Sequence, residues 1–147
     1  MTIWRICQRD VDTATVAEDV HTAARRMESR CVGTLVVLDE HEHPIGIVTD
    51  RDIALRVVGQ GRNPEETSVG DIMTRSPKTL SESAPISGAL NAMHAEGVRR
   101  LPVVEDAGRL VGMVTLDDVV TQLAEELRHV ATGIEESSPR TLAETAK

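Results

Sequence analysis

Gly46-Ile47-Val48-Thr49-Asp50-Arg51-Asp52-Ile53 returns 66 residues later as Gly112-Met113-Val114-Thr115-Leu116-Asp117-Asp118-Val119. The same offset carries Val32 to Val98, Leu35 to Leu101 and Val37 to Val103. It also carries Val20, Ala23, Ala24 and Met27 to Ile86, Ala89, Leu90 and Met93, with no gap anywhere. One matching octapeptide arises easily by chance, whereas a gapless register through three elements marks an internal repeat.

Outward from the octapeptide, each copy reads alike. Val20, Ala23, Ala24 and Met27 fall at i, i+3, i+4 and i+7, the period of an amphipathic helix, and Ile86, Ala89, Leu90 and Met93 repeat it. Ser83 is a candidate N-cap, Pro85 suits a first turn and Gly97 a stop. Two short apolar runs follow, Leu35–Leu38 and Ile45–Val48, separated by the polar stretch Asp39–Pro44, which predicts a hairpin. The second copy has Leu101–Val104 and Leu110–Val114 around Asp106-Ala107-Gly108. A further helix is expected through Ile53 and Val57, and through Val119, Leu123 and Leu127.

Each copy therefore reads strand, helix, strand, strand, helix, with leading strands near Thr13 and Thr79. The fold class is α+β, two copies packed sheet to sheet with pseudo-twofold symmetry and a shared core. The expected boundaries are 1–61 for the first motif, 62–131 for the second, and 132–147 for a tail without periodicity. Asn63-Pro64-Glu65-Glu66 in the connection reads as a short helix start.

Composition bounds the function. The 147 residues fit one domain able to bury roughly 70% of its unfolded surface. Trp4 is the only aromatic, so the core must be aliphatic and the stacking platform of single-strand nucleic-acid binders is missing. A net charge of -8 opposes binding to phosphate backbones. No apolar run approaches the ~18 residues of a membrane span, and Met1-Thr2-Ile3-Trp4-Arg5 has no signal-peptide pattern, so the cytoplasm is the expected compartment. Cys7 and Cys31 are expected as free structural thiols in a reducing environment.

The chemistry is expected at Thr49-x-x-Asp52 and its twin Thr115-x-x-Asp118, each where an apolar strand gives way to a helix. Two readings fit. Ser/Thr-x-x-acid is close to a helix capping box. Alternatively, the helix N-terminus offers N–H groups to an anion, the carboxylate accepts from vicinal ribose hydroxyls, and the threonine serves ribose or phosphate. Gly46 and Gly112, inside strands, mark a close approach by another group.

The pattern Gly-h-h-Thr-x-x-Asp, preceded in the second copy by Val98-Arg99-Arg100-Leu101-Pro102-Val103-Val104, resembles the CBS-motif family (cystathionine-β-synthase-type repeats). The resemblance covers about residues 6 to 128, nearly the whole chain, and implies a stand-alone Bateman module. It implies a regulatory role, no catalysis, and an adenine ligand in the inter-motif clefts: AMP, ADP, ATP or NAD, with S-adenosylmethionine ranked below them. By resemblance, Asp52 and Asp118 meet ribose hydroxyls, Thr49 and Thr115 supply the hydroxyl, and Val32, Leu35, Val98, Leu101 and Pro102 grip the adenine. A homodimer and an effector protein are implied as partners.

The copies differ where phosphate would sit. Arg99 and Arg100 replace Gly33 and Thr34, and Arg51 is replaced by Asp117. Guanidinium groups suit phosphate and a carboxylate repels it, so the two clefts are not expected to be equivalent. Phosphate is expected where Arg51, Arg99 or Arg100 converge; the sequence does not say in which cleft. His41-Glu42-His43 lies in a turn with too few ligands for a metal site, and none is expected. No nucleophile elbow, Walker loop or zinc spacing is present.

Overall fold

The computed structural model describes residues 1–137 and contains two sheets. The first runs β1 (Thr13–Thr15), β2 (Thr34–Leu38), β3 (Pro44–Thr49) and β4 (Thr74–Arg75) in spatial order. The second runs β5 (Leu80–Ser81), β6 (Arg100–Val104) and β7 (Leu110–Thr115). In each, the leading strand pairs parallel with the next, which pairs antiparallel with its hairpin partner. The parallel pair is joined by a helix, α1 (Val20–Arg30) or α4 (Ile86–Glu96), as parallel neighbours require. The α+β tandem arrangement expected from the repeat is the one observed.

Helix ends follow local chemistry. Asp19 caps α1, accepting from the Thr22 amide at 2.8 Å, and that bond holds its carboxyl below the usual aspartate range. Stability from this cap is full above the unfolded-state pKa and is lost as pH falls through the lowered one. Gly97 ends α4 in the left-handed region at φ +64°, as expected, and the equivalent Cys31 ends α1 at φ +53°. Ser83 is not a cap. Its hydroxyl is held by Ser81 at 2.8 Å in the preceding turn, and Pro85 stands at the N-cap. Asn63–Glu66 does not open a helix either, because the Asn63 side chain takes the Glu65 amide at 3.0 Å and closes a turn. The short helix comes later, α3 (Val69–Ile72), capped reciprocally by Ser68 and Asp71. The helix after β3, α2 (Asp50–Ile53), passes into a π-helical turn at Ala54–Val58.

The expected shared core resolves into two. Val20, Ala23, Met27, Leu35, Val37, Val48 and Val57 form one, and Ala89, Met93, Leu101, Val103, Val114 and Val119 the other. Alternation along the strands explains this. Leu35 and Val37 face the helices of their own half, while the buried Val36 and Pro102 belong to neither core and fall on the opposite strand faces. Those faces form the seam between the halves. At one end of it the equivalent positions Thr34 and Arg100 touch, as an approximate twofold relation requires, with Arg100 Nη1 donating to Thr34 Oγ1 at 2.6 Å. At the other end the hairpin tips meet, with the Leu110 amide donating to the Glu42 carbonyl at 3.0 Å.

The sequence boundary at 61/62 does not divide the cores in space. Residues before each leading strand cross to the other half. Ile3 is fully buried in the second core, and Gln8 exchanges two backbone hydrogen bonds of 2.8 Å with Met113 of β7. Val69, Ile72 and Met73 fill the first core, and β4 edges β3. This crossing explains the strand glycines. A Cβ on Gly46 would collide with Met73 Sδ, and one on Gly112 would meet Cys7 Sγ and the Gln8 carbonyl at 2.9 Å. The close approach expected at these glycines is by the chain's own crossing segments. Packed there, the Cys7 thiol is pushed up by burial; both cysteines are free.

The second half ends in α5 (Leu116–Glu136), which runs past residue 131, the expected end of periodicity. The remainder of the expected tail, 138–147, lies outside the described residues. Gly112→Ala, driven against a backbone carbonyl rather than a flexible side chain, should cost about 1–3 kcal/mol, read from the denaturant midpoint.

Candidate functional site

Thr49 and Thr115 end β3 and β7 in extended backbone, and the next residue begins a helix. Each threonine Oγ1 accepts from the amide three residues on, Asp52 at 3.1 Å and Asp118 at 3.2 Å. Each aspartate Oδ2 returns the bond, accepting from Thr49 N at 2.9 Å and Thr115 N at 2.8 Å. Both capping boxes are complete, so the capping reading holds in full. It uses one oxygen of each carboxylate and leaves the other to its surroundings.

Those surroundings differ. The Thr115 hydroxyl also donates to Asp118 Oδ2 at 2.8 Å, and Asp118 Oδ1 accepts from Gln8 Nε2 at 3.1 Å. The Thr115 hydroxyl and both Asp118 oxygens are therefore answered from within the chain. At the first junction Thr49 donates no such bond, and Asp52 Oδ1 has only the Arg56 guanidinium, 3.7 Å away. Gln8 is the crossing residue of the second half; its equivalent in the first is the shorter Thr74, whose hydroxyl lies within 3.4 Å of Arg56.

The first junction opens on a cavity of about 790 Å³ between the halves. The first half contributes Gly33, Thr34, Ile47, Thr49, Asp50, Arg51 and Asp52; the second contributes Glu96, Gly97, Val98, Arg99, Arg100 and Leu101. The crossing segment Thr74-Arg75-Ser76-Pro77-Lys78 forms another wall. The size is that of small-molecule pockets, and the mixture of apolar floor and charged rim is typical of them.

Seven of the sequence-derived site residues meet here: Thr49, Arg51, Asp52, Val98, Arg99, Arg100 and Leu101. The three arginines thus converge on one cleft, the point that the sequence left open. Five residues do not line it. Thr115 and Asp118 belong to the other junction. Leu35 is fully buried in the first core, Val32 packs against that core, and Pro102 is sealed in the seam. Alternation turns Leu35 into its own core; Pro102 shares the seam face with Arg100 but lies farther along it, and Val32 precedes β2.

Sequence reasoning missed Ile47, Glu96 and the whole wall from Thr74 to Lys78. The repeat offset held the signal: Ser76-Pro77-Lys78 stands where the first copy has Asp10-Val11-Asp12. Arg75 is turned away, donating to the Gly70 carbonyl at 3.0 Å. Arg99 leans toward Asp117 at 3.7 Å. Arg51 and Lys78 carry no ion pair or side-chain hydrogen bond. Among the described residues no group of three or more His, Cys, Asp or Glu is placed to hold a metal ion, and no helix is long and apolar enough to cross a membrane.

A family model for the CBS domain matches residues 3–59 and again 69–125. An uncharacterized protein of Methanopyrus kandleri is 37% identical over 120 residues, 82% of this chain and 61% of its own. A CBS domain-containing mitochondrial protein of Arabidopsis thaliana, CBSX3, is 36% identical over 118 residues, 78% of this chain and 57% of its own. The chain spans about three fifths of the length of these relatives. Among solved structures, the CBS domain pair of protein MJ0100, in complex with 5-methylthioadenosine and S-adenosyl-L-methionine, superimposes with TM-score 0.74 at 27% identity, covering 86% of this chain and 98% of that one. CBSX2 in complex with AMP gives 0.72 at 26% identity, with the same coverage.

Because both acids close caps, Asp52→Ala and Asp118→Ala should each cost about 1 kcal/mol without any ligand, seen as a lowered unfolding midpoint.

Proposed function

The chain belongs to the CBS-domain family, and on that premise we propose that it is a non-catalytic regulatory module that takes an adenine nucleotide into the cavity between its halves. The observation that carries this reading is the convergence of Thr49, Arg51 and Asp52 from one half with Arg99 and Arg100 from the other around a single opening. Asp52 Oδ1 accepts from the ribose hydroxyls while Oδ2 keeps its cap. The Thr49 hydroxyl, whose proton the cap does not use, donates to ribose or phosphate. Ile47 and Val98 offer aliphatic surface to the purine, and Val98 is 40% exposed before any ligand arrives. Relatives of this fold solved with AMP and with S-adenosylmethionine support the adenine class.

The module acts on an effector protein, reporting energy or redox state. Binding spans both halves, so a nucleotide favours whichever relative position of the halves fits it best. It shifts effector affinity only by its differential affinity for those positions.

A homodimer completes the reading, and α5 supports it. Leu116, Val120, Leu123, Leu127, Val130 and Ile134 follow alternating spacings of four and three, a heptad stripe. Leu127 is 70% and Ile134 67% exposed, on a stretch of helix whose side chains find almost no cover in their own half. Helices in proteins draw most of their stability from packing an amphipathic face. In a dimer the stripe is covered.

One observation favours a second reading, a purely structural module: both capping boxes are complete and account for Thr49, Asp52, Thr115 and Asp118 without any ligand. Calorimetric titration with AMP, ATP and NAD separates the two. The nucleotide reading expects saturable binding that Asp52→Ala weakens at least tenfold while Asp118→Ala does not; no binding to folded wild type would leave the structural module standing. For the dimer, Leu123→Glu with Leu127→Glu should yield a monomer in sedimentation velocity with helix content retained.

A further inference from the structure

At three pairs of equivalent positions the two clefts carry opposite charge. Where the cavity has Arg51, Lys78 and Glu96, the other cleft has Asp117, Asp12 and Arg30. In the other cleft Arg30 is spent on its own acids, donating from Nε to Asp12 and from Nη2 to Asp10, each at 2.8 Å. Those bonds hold its guanidinium firmly charged, and Gln8 occupies Asp118. Asp10 and Asp12 are thus tied to Arg30, and Asp117 lies 3.7 Å from Arg99, so Arg30 is not free to meet a phosphate there. In the cavity, by contrast, Arg51 and Lys78 are unpaired, and Arg99 is engaged only at 3.7 Å. The acids on that side are partly committed: Asp50 Oδ1 accepts from the Arg51 amide at 2.8 Å and Asp52 Oδ2 from Thr49.

Resting on the nucleotide reading above, we propose that this cavity takes a nucleoside polyphosphate, that Lys78 and Arg51 hold the phosphates beyond the first, and that the pseudo-equivalent cleft takes none, giving one polyphosphate ligand per chain. The chain's own Gln8 and the Arg30–Asp10–Asp12 cluster fill the second cleft in the ligand's stead. Two free cations exceed what a monophosphate needs, since a single phosphate is answered by Arg99 together with the Thr49 hydroxyl. Lys78 is exposed and makes no contact with either core, so its replacement tests binding without testing folding.

The experiment is calorimetric titration of the full chain with adenosine, AMP and ATP. One ATP per chain is expected, bound about tenfold or more tightly than AMP, with an advantage that shrinks as salt rises. Lys78→Ala, which removes the cation without adding an acid, should cut ATP affinity several-fold more than AMP affinity, and Arg51→Gln should repeat the effect in part. If ATP binds no better than AMP, or two ATP bind per chain, or Lys78→Ala leaves the ATP-to-AMP ratio untouched, this proposal is wrong and the adenine site stands. If adenosine, AMP and ATP all fail to bind, both this proposal and the reading it rests on are overturned.

Discussion

Each half of this molecule is closed by a piece of chain that belongs, in sequence, to the other. Ile3, Ile6 and Cys7 pack into the second core, and Val69, Ile72 and Met73 into the first. A three-stranded sheet with two helices exposes one edge and part of its apolar face, too much for so small a unit. Each crossing segment covers both. The crossings are also why the strands carry glycine at positions 46 and 112, where a methyl group would collide with the arriving chain. Neither core is complete without residues from both ends of the repeat, so the two halves fold as one object.

The cavity is a by-product of that exchange. After crossing, the chain must turn back toward its leading strand, and it does so through Ser76-Pro77-Lys78 on one side and Asp10-Val11-Asp12 on the other. These turns lie beside the strand–helix junctions. Duplication therefore supplies two frames of the same shape, and a few side chains then decide what each frame holds. In one, Gln8 reaches the cap aspartate; in the other Thr74 is too short and the space stays open.

Much of this was legible in the residues. The period of 66 predicted the tandem α+β architecture, both amphipathic helices and the hairpins, because alternation and helical spacing depend only on local packing. The differences between copies singled out Arg51, Arg99 and Arg100, but not the cleft in which they meet. What the pattern concealed was direction. Leu35 sits one residue from Thr34, which lines the cleft, and a strand turns neighbours to opposite faces; Pro102 shares a face with Arg100 but is sealed farther along the seam, so proximity in sequence did not mean exposure to the same space. The crossing segments were hidden for a different reason. Ile3 to Gln8 and Val69 to Arg75 are short, lack periodicity and owe their place to tertiary packing alone. The gapless offset does extend through them, aligning Cys7 with Met73 and Gln8 with Thr74, but only coordinates reveal which half they serve.

The two ends of the seam are fastened unequally. Where the hairpins turn, main chain grips main chain through Leu110 and Glu42, and the His43 ring rests within 3.1 Å of the Ala107 carbonyl. At the mouth of the cavity a single arginine–hydroxyl bond joins Arg100 to Thr34. The end of the seam that carries the cavity is therefore joined by side chains, with Arg99 and Arg100 on one wall and Thr49 and Asp52 on the other, so substitutions there can loosen it while the backbone join at the hairpins stays in place.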